Sequence, residues 1–401
     1  MKRGFLNSSK AKKRPVGSPP RETIYHRLPI GKQNVEVPAG YDAKTHFIER
    51  DPRLGTGVGG MTITTVPFVD FEGYPGEPRC ECLFHAGSKE VLMNLPGFPQ
   101  PMQQPPTTTF RLSDTPGKGV GLFATRALKT GDLVFSDRPL LLCATGIPTD
   151  VPEFFTQEQV AQQSLRDLEK MVGYCVQRMD AETKEAYMAL KNSHLEDGSG
   201  PLVGILRTNG IGLEGLRPGV TDPTQFYSAV CKNLSRFNHS CSPNMARRWD
   251  MLSFSYQVFA VRDIAPGEEL TYQYIPLEIP TAYRQELLKP YDFTCACLSC
   301  TDPESDARRA NLNKSGGPSV FHWLFNPPQA DAWLFSEIRR QLKLVGEEKM
   351  EATFRYFELL NAGFEACIAM GDAIPSRRSS TKILWDCRGL STRILCPYRL
   401  D

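Results

Sequence analysis

The chain has 401 residues, 40% of them apolar, and a net charge of +2. That length allows two or three domains, and the near-neutral balance excludes a global basic field that would draw the protein onto nucleic acid. No apolar run approaches the roughly 20 residues that span a bilayer, and residues 1–6 are not followed by the hydrophobic stretch of a secretory signal. The 12 cysteines are therefore expected as thiols and metal ligands, not as a disulfide framework, and Asn238-His239-Ser240 is not expected to be glycosylated.

Residues 1 to about 25 are polar and basic, with Lys10, Lys12, Lys13 and Arg14. They read as a disordered arm, either a solvated tail or a nuclear-localisation or nucleic-acid contact. Residues 26–105 carry short strand-like pieces such as 61–66 among Gly and Pro. Cys80, Cys82 and His85 there lack a second Cys pair at zinc-module spacing, so they read as free thiols in a loop. Residues 96–106 read as a linker. From Thr107 short strands alternate with Gly turns: 108–112, a Gly-rich turn, 122–124, a turn at 129–132, then 133–135. Between about 153 and 193 Leu165, Leu168, Val172, Cys175 and Met179 mark one helical face, and Thr156 with Gln159 resembles a capping box. Residues 194–222 read as Gly-rich loop. Residues 252–261 alternate as a strand, 263–267 form a turn, 269–272 a short strand and 283–288 a helical turn. After Cys300 two apolar stripes, Trp333/Leu334/Ile338/Leu342 and Met350/Phe354/Phe357/Phe364, predict a helical hairpin. Beyond about 375, where Cys387 and Cys396 lie, no pattern remains.

Chemistry concentrates in four stretches. Cys295-x-Cys297-x-x-Cys300 supplies three thiolates, and a tetrahedral structural zinc wants four. Cys241, the one Cys embedded in another polar cluster (Asn238-His239-Ser240-Cys241), is the natural fourth. Gly119-Val120-Gly121 formally starts a dinucleotide fingerprint, but Pro116 and Lys118 precede it and Gly131 follows too soon for a helix. It reads better as a turn that lets backbone approach a ligand, or as a plain hairpin turn. Tyr272 and Tyr274 lie two apart on a strand and so face one side; either can be a core aromatic.

The order Gly-Lys-Gly-Val-Gly-Leu-Phe-Ala (117–124), Asn-His-Ser-Cys-x-Pro-Asn (238–244), Gly-Glu-Glu-Leu-Thr-x-x-Tyr (267–274) and Cys-x-Cys-x-x-Cys (295–300) resembles the SET-domain protein lysine methyltransferases. The long insert before Asn238 and the helices after Cys300 look most like the SET-and-MYND-type branch, although no MYND finger interrupts the insert. The resemblance covers roughly residues 107–301. It implies a β-rich α+β fold: a SET-type pseudoknotted β core over 107–289 with a helical insert at about 150–225, a zinc-binding post-SET segment at 290–301, and C-terminal helices with a tail over 302–401. Residues 1–106 would be an N-terminal region, partly disordered.

By the same resemblance, Lys118, Gly119, Val120 and Gly121 would cradle S-adenosylmethionine. Asn238 and His239 would bind its two ends through main-chain and amide contacts, Phe293 would stack on the adenine, and Asn209 would line the site from the insert. Tyr274 would be the catalytic tyrosine. Tyr272 sits where relatives carry Phe or Tyr to limit methyl number, which implies mono- or dimethylation. Cys241, Cys295, Cys297 and Cys300 would hold Zn2+. The reaction is an in-line methyl displacement, so the protein chiefly aligns its reactants. The substrate lysine must arrive neutral against a free pKa of about 10.4, and an apolar channel beside a sulfonium lowers it.

The expected partner is a protein carrying a target lysine, with a histone as one option, in the nucleus or cytoplasm. No membrane association is expected. The alternative is a catalytically silent SET-fold interaction module. A third reading, a zinc-stabilised nucleic-acid binder, rests only on the basic arm and lacks the basic face it needs.

Overall fold

The computed structural model describes residues 25–27, 56–58, 61–68, 73–148, 151–152, 154–221, 223–314 and 331–369. The basic arm with Lys10, Lys12, Lys13 and Arg14, and Cys387 and Cys396 of the tail, lie outside the described residues. The chain runs β1 (Tyr25–Arg27), β2 (Thr56–Val58), β3 (Met61–Val66), β4 (Cys80–His85), α1 (Ser88–Met93), β5 (Phe110–Thr115), β6 (Gly119–Ala124), β7 (Leu133–Asp137), β8 (Pro139–Ala144) and β9 (Gly146–Pro148). The insert follows as α2 (Gln157–Arg178), α3 (Ala181–Met188), α4 (Pro201–Asn209) and β10 (Ile211–Leu213). Then come β11 (Tyr227–Cys231), β12 (Asn238–His239), β13 (Met245–Asp250), β14 (Ser255–Ala260) and β15 (Glu269–Tyr272). Helices close the chain: α5 (Thr281–Leu288), α6 (Leu298–Thr301), α7 (Ser305–Lys314), α8 (Asp331–Glu347) and α9 (Phe354–Ala369). The fold is α+β, as expected, with helices and strands both well represented.

The central six-stranded sheet has the order β10-β11-β8-β4-β3-β2. Every residue of β4 and β8 is buried, as befits strands paired in parallel and covered on both faces. One cover is α2, whose Leu165, Leu168, Val172 and Cys175 are buried. On the other, Phe84 meets Phe254 and Tyr227 edge-on.

This sheet corrects the reading of residues 26–105. β2, β3 and β4 belong to the same sheet as β8 and β11, so a boundary at 106 cuts through one hydrogen-bonded unit. Cys80 and Cys82 lie on a buried strand, not in a loop; their sulfurs are 3.5 Å apart, and burial pushes the Cys82 thiol up. The short strands were hard to see because Gly and Pro bound each of them. The linker is pinned too, since Gln104 exchanges hydrogen bonds with the Ser136 backbone at 2.7 and 3.1 Å.

The insert is more ordered than its glycines imply. The Thr156/Gln159 capping box forms at the start of α2. The single helical stretch at 153–193 is two helices, because Asp180 caps a fresh start at the Thr183 N–H, 2.7 Å away. The expected loop at 194–222 contains α4 and β10. The carboxylate of Glu169, on α2, accepts from Leu202 N and Val203 N at 3.0 and 2.7 Å. That cap comes from 33 residues upstream, where no local pattern can reveal it. Near the C-terminus the hairpin exists as α8 and α9, but its buried face differs. Leu334, Ile338 and Met350 are buried, whereas Phe354 and Phe364 are 55% and 39% exposed. The aliphatic Leu359 and Leu360 take the inner face instead.

Buried Asp137, at the end of β7, accepts from Asn233 N at 2.7 Å and Leu234 N at 2.8 Å. It thereby anchors the 3-10 turn Leu234–Arg236 that leads into β12. Burial raises its carboxyl to about 6, against the lowering effect of those two N–H groups. A raised folded-state pKa means that folding favours the protonated form. The group's contribution is therefore greatest below about 4, falls as the pH rises towards about 6, and is constant above. Urea unfolding at a series of pH values should show wild-type stability, relative to Asp137→Asn, declining across that window and levelling off beyond it.

Candidate functional site

The site is built on the four-stranded sheet, with β10 and β13 from two other sheets closing in on it. In the four-stranded sheet, ordered β12-β15-β6-β5, β12 lies parallel to β15 with Asn238 opposite Thr271 and His239 opposite Tyr272. Asn244 locks this crossing. Its amide nitrogen donates to Glu269 O at 2.9 Å and its oxygen accepts from Thr271 N at 2.8 Å. β5 and β6 form a hairpin whose turn is Pro116–Lys118, with positive φ at Gly117 (73°) and Gly119 (75°). Gly119 and Gly121 therefore lie on a strand and not in a dinucleotide-binding strand–turn–helix. Gly121 is needed for closeness: a Cβ there would come within 2.8 Å of Asn238 Nδ2 and 2.9 Å of Glu269 Oε1. Those two groups are hydrogen-bonded to each other at 2.8 Å, and Lys118 Nζ stands 3.7 Å from the other Glu269 oxygen.

Against this junction opens a cavity of about 390 Å³. Lys118, Gly119, Val120, Asn209, Asn238, His239, Tyr272, Tyr274 and Phe293, all singled out from the sequence, line it. Gly121 lies behind the wall. The Asn209 amide nitrogen is taken by Lys191 O and Ile205 O, at 2.7 and 2.8 Å, which leaves the amide oxygen as its acceptor towards the cavity. Both ring nitrogens of His239 are occupied. Nδ1 accepts from Tyr274 N at 3.1 Å, so the ring proton sits on Nε2, 3.3 Å from Cys241 Sγ. Burial lowers the imidazole to about 4; the ring is neutral, and a ligand would meet the backbone here.

Tyr274 is held from three sides. Its hydroxyl donates to Phe237 O, its backbone N–H to His239, and its ring packs on Tyr291 at 4.9 Å. Burial raises its phenol above the ordinary value, so it stays protonated. Tyr274 can orient and donate; it is no base.

The four thiols expected to converge do so. The sulfurs of Cys241, Cys295, Cys297 and Cys300 all lie within 4.8 Å of one another, with Cys241–Cys300 at 3.5 Å and Cys241–Cys295 at 4.0 Å. A tetrahedral ion with metal–sulfur bonds of ~2.3 Å requires sulfur separations of about 3.8 Å, so the cluster can hold a metal ion. Gln285 on α5 fixes the thiol segment through Cys295 O and N, at 2.8 and 3.0 Å. Hydrogen bonds from Cys241 and Cys295 draw the Cys300 thiol below its ordinary value. Phe293, two residues before Cys295, is thus carried to the cavity beside His239, with ring centroids 6.0 Å apart.

Residues 119–275 match the family model of the SET domain. The chain carries a SET domain. Among curated proteins, histone-lysine N-methyltransferase set5 of Schizosaccharomyces pombe is 26% identical over 273 residues, 66% of this chain and 74% of that protein. N-lysine methyltransferase SMYD2 of Rattus norvegicus is 36% identical, and that of Homo sapiens 35%, over 106 residues that span 26% of this chain but only 22% of theirs. These likenesses are consistent with a SET protein near the SET-and-MYND branch.

Sequence reasoning missed several residues that shape the SET-domain cavity. Tyr291 and Arg247 line it, Phe237 supplies the carbonyl for Tyr274, and Glu269 binds Asn238. Glu269 lies within the Gly-Glu-Glu-Leu-Thr motif, whose spacing does not reveal its bond to Asn238. Arg247 and Tyr291 had no motif signal. Gly121→Ala should displace the Asn238–Glu269 pair and cost about 2 kcal/mol. Urea denaturation should register that loss.

Proposed function

We propose that the chain transfers methyl from S-adenosylmethionine to the side-chain amine of a protein lysine, giving mono- or dimethyllysine. Its standing as a protein-lysine N-methyltransferase is carried by the SET domain and the named activities of its relatives. The observation that carries the site is Tyr274, hydrogen-bonded to Phe237 O inside a cavity that also holds Lys118, Asn238 and Phe293.

When bound, S-adenosylmethionine supplies an electrophilic methyl on a sulfonium. The Gly119–Val120 backbone and the Asn238–His239 strand give close-approach surfaces for it, Phe293 an aromatic face, and Asn209 an acceptor. The protonated phenol of Tyr274 and the fixed Phe237 carbonyl orient the incoming amine along one line. Tyr272 narrows the same end and so limits methyl number. Zn2+ is the ion that suits four thiolates in a closed tetrahedral set; Cys241, Cys295, Cys297 and Cys300 would hold it and keep Phe293 in place.

A histone or another protein is the substrate class, in the nucleus or cytoplasm. Among the described residues no helix is long and apolar enough to cross a membrane.

Radiolabelled methyl transfer onto lysate protein tests the reading. Tyr274→Phe should lower kcat/KM about 100-fold while leaving S-adenosylmethionine affinity within about threefold. Absence of any binding in the wild type would instead point to a silent interaction module. Metal analysis should find zinc in the wild type. Cys297→Ser should lose it, and the apparent unfolding temperature should fall together with cofactor affinity.

A further inference from the structure

We propose that Arg247 is a positioning residue for methyl transfer: from β13 it holds the Tyr272 ring at the amine end of the cavity and thereby limits how many methyl groups the lysine accepts. This rests on the methyl-transfer reading of the cavity. Tyr272 and Tyr274 are two residues apart yet are held by different means. The Tyr274 hydroxyl is tied to a backbone carbonyl. The Tyr272 hydroxyl has no hydrogen-bond partner among the described residues, so the direction of that phenol is set by what its ring rests on.

It rests on Arg247. The guanidinium carbon lies 5.4 Å from the centroid of the Tyr272 ring and 5.0 Å from that of Tyr256. Tyr256, on β14, is fully buried, and its hydroxyl donates to Gly212 O at 3.2 Å. One planar cation therefore joins a ring anchored to the insert strand β10 with a ring at the cavity wall. Arg247 lines the same cavity and is partly buried, and cation–π contacts strengthen as the cation loses water. A guanidinium can stack on an aromatic face as an ammonium cannot. Releasing the Tyr272 ring enlarges the space around the amine.

The test uses full-length wild type, Arg247→Met, Arg247→Lys, Tyr272→Phe and the Met/Phe double variant. Lysate protein and S-adenosylmethionine serve as substrates, and mono-, di- and trimethyllysine are resolved after total acid hydrolysis. Arg247→Met should raise the ratio of higher to monomethyl product about fivefold, or ~1 kcal/mol at 1.36 kcal/mol per tenfold. Tyr272→Phe should raise it similarly, the double variant no further, and Arg247→Lys should fall between. Calorimetry should show Arg247→Met still binding S-adenosylmethionine, which separates positioning from loss of fold. An active wild type whose product ratio is unchanged in Arg247→Met, or single-variant effects that simply multiply, would overturn the proposal alone. A wild type that methylates no lysine would overturn the reading of the site on which it stands.

Discussion

Four thiols brought together in one place are the constraint on which the site depends. Cys241 leaves the end of the β12 segment, while Cys295, Cys297 and Cys300 arrive more than fifty residues later in the chain. Bare thiols at 3.5–4.0 Å gain little from one another. Four thiolates on a divalent cation gain a great deal but leave a net negative charge. Arg284 answers it: fully buried, with Nη2 3.9 Å from Cys300 Sγ and 2.7 Å from Thr281 Oγ1, and Nη1 2.6 Å from Ile279 O. A lone buried guanidinium would be costly; Arg284 has the Asp306 carboxylate at 3.5 Å, and a metal-bound thiolate set beside it would match its charge further. The helix that carries Arg284 is also the one whose Gln285 grips Cys295, so α5 sets both the geometry and the charge of the lid.

The lid closes on a floor made by a second polar junction. Asn244 and Glu269 carry most of it, one fastening β15 to the segment after β12, the other fastening Asn238 to the Gly-rich strand β6. Each group is buried or nearly so, and each has its partners, which is the condition under which buried polar groups specify a structure and do not weaken it. Because the junction is polar, the cavity wall can present backbone and amide groups where an apolar core would present only methyl groups. Tyr274 then spans floor and lid, touching Phe237 O below and Tyr291 beside the thiol segment.

Much of this was legible along the chain because it is written in short, dense stretches. The Cys spacing, the Asn-His-Ser-Cys run and the paired tyrosines each place several chemical groups within a few residues, and the folded chain brings them to one cavity. What was not legible depends on partners far away. Glu169 caps α4 from another helix, so 201–209 looked like loop. β4 gains its meaning from pairing with β8, over fifty residues on, and β3 from pairing with β4, so 61–66 read only as an isolated strand-like piece and 80–85 as loop. Arg247 carries no motif; its neighbours Tyr256 and Tyr272 belong to two other strands, and only the fold places all three together. The stripe 350/354/357/364 had helical spacing, yet periodicity does not say which of two apolar faces will be covered, and Leu359 and Leu360 won the inner one.

The same reasoning bears on how the chain divides. The family resemblance divides off a post-SET segment at 290–301 and C-terminal helices after 302, but one apolar core joins them: Cys241, Cys295, Leu288, Leu312, Val345, Met350 and Leu359 form a single buried cluster. A buried ion pair runs through it. Arg309, on α7, donates to Glu348 Oε2 at 2.8 Å, to Leu277 O at 2.7 Å and to Cys241 O at 2.8 Å. Glu348 also accepts from Ser305 Oγ at 2.6 Å. Removing one member would strand a charge in the interior, which costs far more than the pair itself contributes. The helices after Cys300 are therefore no appendage. They supply the cation that holds the Cys241 carbonyl, and the position of Cys241 is set as much from residues 309 and 348 as from the strand that delivers it.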